Sequence, residues 1–420
     1  MEKAILVNLS TSKNERIEAE ESLKELEGLT RAAGGEVVEK IIQTRNEINP
    51  KYFIGQGKVS EIAQLVNTLS ANVIIFDHNL TPVQQRSLEE KISCKVIDRT
   101  QLILDIFSQR AKTNEGKLQV ELAQSTYLLP RLTGKGIALS RLGGGIGTRG
   151  PGEKKLEIDR RRILNRINKI KKDIAKIQKR RALQRSYRKE SPIPTIALVG
   201  YTNAGKSTLF NYLTSETVFT SSSLFSTLDP VLRRVFLSDG LYFYLSDTVG
   251  FIKKLPIELI SAFRATLEEV VEADKILHIV DLSSPNFQEQ IESAERILGE
   301  IGIIKNRIIR VMNKIDLLPN KNEFLKKNRK GNNSGFYISA KTGEGINDLK
   351  KFLCKELFKD CKLYYIQIPK KEEELVTSFY HWAIVLKRRE NKDFIELKIR
   401  AKPQLVLKFL PFIRRGEKKW

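Results

Sequence analysis

The feature that most restricts what this chain can fold into is an octapeptide, Gly200, Tyr201, Thr202, Asn203, Ala204, Gly205, Lys206 and Ser207, set between two apolar runs. It fits the G-x-x-x-x-G-K-[ST] pattern. Residues 195–199 before it read as a buried strand, and residues 208–213, opening at Thr208, read as a helix. At such a strand-to-helix turn the glycines let backbone N–H groups converge on an anion at the positive end of the helix. The spacing therefore predicts an α/β domain with a polyphosphate held at that turn. Lys206 is expected to reach the β- and γ-phosphates, and the Ser207 hydroxyl to coordinate Mg²⁺.

Four further motifs follow in order and specify the ligand. Asn313, Lys314, Ile315 and Asp316 come directly after the apolar run 307–312. A carboxylate at 316 can accept from both N1–H and the 2-amino group of guanine. Adenine offers neither donor and would leave it unpaired, at a cost of about 1–3 kcal/mol. Ser339, Ala340 and Lys341 follow the short run 336–338 and supply N–H groups for the guanine O6. Asp247, Thr248, Val249 and Gly250 end the run 241–245, which places Asp247 near the metal and the Gly250 N–H near a γ-phosphate. Thr227, within Phe225, Ser226, Thr227, Leu228 and Asp229, is the expected second hydroxyl on the metal. The set predicts a GTP/GDP site with Mg²⁺ held by Ser207, Thr227 and Asp247, and with Lys206, Thr227, Gly250 and residue 251 at the hydrolytic end.

Residue 251 departs from the Ras-like pattern, in which a glutamine there orients the attacking water. Here it is Phe251, followed by Ile252. An aromatic ring cannot hold a water. Either Phe251 is core, or a partner completes the water-positioning group and the isolated chain hydrolyses GTP slowly.

Composition bounds the rest. At 420 residues there is room for about three domains of ordinary size. Apolar runs near 18 residues are absent, so a membrane span is not expected, and the start of the chain is too charged for a secretory signal. Cys94, Cys354 and Cys361 fit neither a disulfide framework nor a zinc spacing, and read as small cytosolic thiols. His278, inside an apolar run, reads as structural. The net charge is +23. A surplus of this size suits nucleic acid, an anionic lipid surface or simply a solvated face. Its placement is uneven: residues 131–150 hold four basic residues and no acid, and residues 153–190 hold sixteen basic and five acidic ones.

Residues 1–98 alternate strand-like runs (4–7, 36–42, 73–76, 95–97) with helical patterns (20–33, 58–69, 82–92), which predicts a small, largely parallel α/β domain. Gly55, Gln56, Gly57 and Lys58 resemble part of a phosphate loop, and equally a tight turn before a helix. Residues 99–190 predict two long helices, the first over 101–129. The second carries Leu156, Ile163, Ile167, Ile170, Ile174 and Ile177 in heptad rhythm. One loop joins them, so the simplest arrangement is an antiparallel hairpin with arms of roughly 40–50 Å. Its tip, rich in glycine and free of acids, suits a phosphate-rich partner, with Arg131, Lys135, Arg141 and Arg149 as candidate RNA contacts. A flexible solvated linker is the plainer reading. Residues 191–359 form the P-loop domain, and 360–420 a small α+β domain.

With those parts named, the chain resembles the HflX family of ribosome-associated GTPases over nearly its whole length. Residues 52–58 (Tyr-Phe-Ile-Gly-Gln-Gly-Lys) and 80–86 (Leu-Thr-Pro-Val-Gln-Gln-Arg) are similar to that family's opening domain. Residues 143–153 (Gly-Gly-Gly-Ile-Gly-Thr-Arg-Gly-Pro-Gly-Glu) are similar to its hairpin loop, a stretch more specific than the nucleotide motifs. The resemblance implies a cytoplasmic, monomeric GTPase using GTP and Mg²⁺. It implies docking on the large ribosomal subunit and its rRNA, with the hairpin tip in the peptidyl-transferase region. Splitting of stalled or idle ribosomes under stress and large-subunit maturation are further implications. Action in ribosome assembly or RNA modification without splitting is the main alternative. A lipid-binding switch lacks aromatic anchors beyond Tyr187, and an ATP-using enzyme conflicts with Asp316.

Overall fold

Four short apolar runs in the first hundred residues assemble into one parallel sheet. The computed structural model describes residues 1–12, 15–132, 151–189, 192–214, 231–248, 250–252, 269–329 and 335–413. These fall into two units, one built mainly on residues 1–177 and the other mainly on residues 178–420.

In the first unit, β1 (Lys3–Ser10), α1 (Arg16–Ala32), β2 (Glu36–Thr44), α2 (Gln56–Leu69), β3 (Val73–Phe76), α3 (Pro82–Ile92) and β4 (Lys95–Asp98) alternate. The sheet order is β2-β1-β3-β4 with every pairing parallel. β1 and β3 are buried along nearly their full length, as strands covered by helices on both faces should be. Ile5, Val7, Ile54, Ile62, Ile74, Phe76, Leu88 and Val96 form one continuous apolar core. Helix α3 starts where it does because Thr81 accepts from the Gln84 N–H, Gln84 returns a bond to the Thr81 N–H, and Pro82 takes the first turn. Gly55 precedes α2 as its N-cap and donates its N–H to Gln43 Oε1, so the glycine pair at 55 and 57 begins a helix.

The predicted helix over 101–129 is two helices, α4 (Arg99–Arg110) and α5 (Asn114–Leu128). The backbone turns extended at Ala111, and Thr113 then caps α5 by accepting from the Gly116 N–H at 3.0 Å. Helix α4 belongs to the N-terminal layer, where Leu102, Ile103, Ile106 and Phe107 are buried. Its first residue carries the densest polar network of the unit. Arg99, 1% exposed, pairs at 2.8 Å with both the fully buried Asp77 and the half-buried Glu25. Asp77 also accepts from Asn8 at 2.9 Å and Ser22 at 2.7 Å.

Helix α6 (Pro151–Lys189) runs 39 residues, about 58 Å, against about 22 Å for the 15 residues of α5. The two helices are therefore unequal, where arms of roughly 40–50 Å were expected. The heptad seam is present: Ile167, Ile170 and Ile174 are buried and Ile163 and Ile177 half-buried, while Arg160, Arg161, Lys169, Lys171, Lys172 and Lys179 are exposed. Arg166 reaches Glu121 of α5 with two bonds of 2.6 and 2.8 Å.

In the second unit, β5 (Thr195–Gly200), α7 (Lys206–Thr214), β6 (Val231–Phe236), β7 (Tyr242–Asp247), β8 (Lys275–Asp281), α8 (Phe287–Glu300), β9 (Ile308–Asn313), α9 (Lys321–Arg329), β10 (Gly335–Tyr337) and α10 (Ile346–Leu357) follow in order. The sheet runs β10-β9-β8-β5-β7-β6, parallel except for the β6–β7 pair. Ile196, Leu198, Phe210, Phe243, Leu277 and Leu349 fill one face, and Ala197, Val199, Ile276, Ala294 and Leu298 the other. Beyond it, β11 (Lys362–Pro369), α11 (Glu374–Trp382), β12 (Ile384–Glu390) and β13 (Phe394–Ala401) make an antiparallel sheet of order β11-β13-β12. Leu241, Phe358 and Ile384 form a small apolar cluster joining it to the larger sheet. Among the described residues no helix is long and apolar enough to cross a membrane.

Replacing Arg99 by Ala leaves Asp77 buried without its cation, which is expected to cost about 3–5 kcal/mol. A lowered urea midpoint of the full chain, followed by far-UV circular dichroism, checks this; an unchanged midpoint would show the pair to be dispensable.

Candidate functional site

The carboxyl ends of the parallel strands of the larger sheet bring the predicted motifs together. Gly200 ends β5, Asp247 ends β7, Asp281 ends β8 and Asn313 ends β9. The chain leaves β5 toward β7 on one side and returns through β8 on the other. Crevices form at such switch points in open α/β sheets.

The phosphate loop has the backbone its residues allow. Gly200 (φ +148°), Asn203 (φ +62°) and Gly205 (φ +95°) sit in regions that side chains other than asparagine rarely adopt. Neighbours enforce this too. A Cβ at Gly200 would meet the Ile279 carbonyl oxygen at 2.2 Å, and one at Gly205 the Asn313 Nδ2 at 2.2 Å. Within the loop Ala204 is buried and Asn203 exposed, with Thr202 and Thr208 between. Tyr201 turns its ring into the core below, leaving its backbone to the loop. Lys206, 7% exposed, donates from Nζ to the carbonyls of Gly200 at 3.0 Å and Tyr201 at 2.8 Å. Burial pushes its ammonium down to about 8, against the opposing pull of Asp247.

Asp247 is fully buried and accepts from the Ser207 hydroxyl at 2.9 Å. Thr248 donates its hydroxyl to the Leu198 carbonyl, which pins the end of β7 to β5. The segment after it is stitched to the phosphate loop: Phe251 donates to the Gly200 carbonyl at 3.0 Å and accepts from the Thr202 N–H at 2.8 Å. Gly250 is held so close that a Cβ would lie 2.8 Å from Lys206 Nζ and 3.0 Å from the Thr202 Cα. The Phe251 ring is 5% exposed among Val199, Tyr201, Val270 and Ile276. The structure places the Phe251 ring in the core, where it cannot orient a water.

The base end is organised by one side chain. Asn313, 2% exposed, donates from Nδ2 to the Ala204 carbonyl at 2.8 Å and accepts at Oδ1 from the Ala340 N–H at 2.9 Å. It thereby ties the phosphate loop to the loop of Ser339, Ala340 and Lys341. Ser339 is fully buried and its hydroxyl accepts from the Thr342 N–H at 3.2 Å. Ile315 is buried, while Asp316 and Lys341 are exposed. Lys314, left-handed at φ +66°, donates to Asp281 at 2.6 Å. Asp281 was not singled out from sequence; its signal was a lone acid closing the apolar run of β8. Tyr212 of α7 was missed as well: a Cβ at Gly343 would lie 2.2 Å from its hydroxyl, so the base-side loop rests on this ring. His278 is buried as expected, and desolvation lowers it to about 4, which keeps it neutral.

Other predicted residues are not assembled here. Phe225, Ser226, Thr227, Leu228, Asp229 and Val249 lie outside the described residues, as do Lys135, Arg141 and Arg149. Arg131 is a correction. Its guanidinium stacks on Tyr127, with 3.5 Å between its carbon and the ring centroid, and bonds to Asp98 at 3.2 Å and the Leu80 carbonyl at 2.8 Å. It is consumed by the first unit, because a buried carboxylate at Asp98 needs a cation more than solvent does.

Three family models match the chain in order: "GTP-binding GTPase N-terminal" over residues 20–108, "GTP-binding GTPase Middle Region" over 110–188 and "50S ribosome-binding GTPase" over 195–314. A GTPase HflX of Caldanaerobacter subterraneus subsp. tengcongensis is 48% identical, covering 88% of this chain and 83% of the relative. The GTPase HflX of Escherichia coli K12 is 43% identical over 93% of this chain and 91% of its own length. Among solved structures, a GTP-binding protein from Sulfolobus solfataricus in complex with GDP is 24% identical, spans 86% of this chain and 99% of its own, and gives a TM-score of 0.45. The fold and the loop geometry define a guanine-nucleotide P-loop enzyme that hydrolyses GTP. Extended identity along all of its parts makes the chain a member of the HflX GTPase family.

The state of Lys206 gives nucleotide binding a pH dependence. A polyphosphate favours the ammonium, so binding raises its pKa above the value of about 8 in the free site. Well below that pH the amine is already charged and binding takes up no proton. Above it, binding must recharge the amine, so GTP affinity is expected to fall as pH rises, by up to about tenfold per unit. Titration with a fluorescent GTP analogue across this range checks the slope; a flat profile would contradict it.

Proposed function

We propose that the chain is a Mg²⁺-dependent GTP switch that binds the large ribosomal subunit through rRNA, and that it splits stalled or idle ribosomes under stress. One observation carries the reading: a guanine-nucleotide site and a long helix with exposed lysines and arginines lie in the same chain. A cationic helix of this kind suits a polyphosphate partner and draws much of its affinity from released counterions. The family model named for 50S binding points the same way. Arg141, Arg149 and Lys135, which precede this helix in the sequence, are the proposed phosphate contacts.

Ser207 and Asp247 fit a magnesium ion. Their oxygens are 2.9 Å apart, and adjacent ligands of an octahedral Mg²⁺ with bonds of about 2.0–2.1 Å are separated by about 2.9 Å. Both are hard oxygen donors, and Thr227 is the proposed third. When bound, the ion would neutralise phosphate charge. Lys206 then gives up its loop carbonyls for phosphate oxygens, and Asp316 accepts from the guanine edge.

The γ-phosphate acts on the switch through Gly250. Its N–H belongs to the segment that Phe251 holds on the phosphate loop, so a ligand between Lys206 and Gly250 must shift that segment. GTP thus favours the ribosome-bound arrangement and hydrolysis releases it. With Phe251 buried, its side chain cannot orient water, and turnover is slow until the ribosome completes the site. The protein acts in the cytoplasm as a monomer. Large-subunit maturation is a further role for the same switch.

Single-turnover GTP hydrolysis with and without purified large subunits tests the reading, alongside light scattering of assembled ribosomes with a GTP analogue. Stimulation by at least tenfold and a drop in scattering are expected. Stimulation without a drop would favour an assembly role, and equal rates would contradict ribosome coupling.

A further inference from the structure

The hairpin of β6 and β7 carries an aromatic face that the nucleotide site does not use. Successive side chains point to opposite faces of the two strands, and Ser246, beyond Tyr244 on its face, is buried. Val235, Phe243 and Leu245 point into the core, so Leu232, Arg234, Phe236, Tyr242 and Tyr244 share the opposite face. In the antiparallel register Arg234 lies across from Tyr244 and Phe236 across from Tyr242. The rings form a contiguous ladder: Phe236 and Tyr242 have centroids 5.8 Å apart, and Tyr242 and Tyr244 6.1 Å apart. The Arg234 guanidinium carbon lies 5.3 Å from the centroid of Tyr242 and 5.8 Å from that of Tyr244. Among the described residues Arg234 has no carboxylate partner.

Folding does not account for this face. Phe236 is 66% exposed, at the edge of the sheet, where a polar residue would serve the strand better. An exposed ring beside two half-exposed tyrosines and an arginine offers flat π surfaces at different angles with a cation among them. Unpaired bases stack on such surfaces, and a guanidinium there meets either a base face or the adjoining phosphate. Over 231–247 the charged residues are Arg233, Arg234, Asp239 and the buried Asp247, so on this face Arg234 is the cation a phosphate would meet.

We infer that the outer face of the β6–β7 hairpin is a second RNA contact, which stacks unpaired bases on Phe236, Tyr242 and Tyr244 with Arg234 as the cation. The assignment rests on the RNA-binding reading above for its partner class, and it places a base-stacking surface on the nucleotide domain itself.

A short unstructured RNA containing 4-thiouridine, photocrosslinked to the full chain and mapped by mass spectrometry, tests it. Crosslinks within residues 234–244 are expected, and Phe236→Ala or Arg234→Ala should remove them. Phe236→Tyr, which keeps a ring, should retain them. Where this face dominates binding of the short RNA, Phe236→Ala should weaken it by about 5- to 150-fold, with GDP affinity unchanged as a check on folding. Crosslinks confined to residues 131–190 would overturn the inference while leaving the RNA reading intact. No crosslinks anywhere would overturn both. Loss through Arg234→Ala but not Phe236→Ala would reduce the face to a charge contact. Variants that keep RNA but lose large subunits would assign the face to a protein, against the inference.

Discussion

The nucleotide site depends on one buried amide. The side chain of Asn313 spans from the Ala204 carbonyl to the Ala340 N–H, so the loop that cradles phosphate and the loop that meets the base are fixed to the same strand end. An asparagine can do this because it offers a donor and an acceptor on one planar group. Both bonds are buried, and leaving either backbone partner unpaired costs about 1–3 kcal/mol. Gly205 exists in the same arrangement for lack of room: any Cβ there would strike this amide. Asn313 is therefore a positioning residue whose effect reaches both ends of the ligand.

At the opposite end the chemistry is set by burial. Burial takes Lys206 out of water and makes its ammonium easier to discharge, while two loop carbonyls accept from it and Asp247 pulls the other way. The strand-like bonds of Phe251 to Gly200 and Thr202 bring Gly250 against the same lysine. The proposed phosphate contact of Lys206 and the proposed switch segment thus share a few ångströms of backbone. The burial of Phe251 makes that coupling mechanical, since moving the segment disturbs an apolar core.

How much of this was readable before the structure depends on the range of the interactions. The phosphate loop, the Asn313–Asp316 motif and the strands that end in them are local patterns, and the sequence placed them in the correct order. The isoleucine seam of α6 was equally plain, because a heptad rhythm is carried by adjacent turns. The break between α4 and α5 was not, since no proline marks it: the backbone turns extended at Ala111 and one threonine cap at Thr113 restarts the helix. Arg131 was misread because its fate is decided by Asp98, 33 residues earlier, and by the face of Tyr127. Asp281 and Tyr212 escaped for the same reason: their roles exist only once β8 and α7 are side by side with the base-side loops. Charge counts located the basic helix but could not say which arginines the fold itself consumes.

If the Asn313 amide joins them, the two halves of the nucleotide pocket are one mechanical unit. The most direct measurement compares GDP and ADP affinities of the unaltered chain with those of Asn313→Ala, with thermal unfolding as a control. If the amide joins the halves, GDP binding weakens by about 5- to 150-fold, as loss of about 1–3 kcal/mol requires, and the preference for guanine over adenine shrinks with it. GDP affinity and base preference both left unchanged, in a protein that still folds, would contradict it.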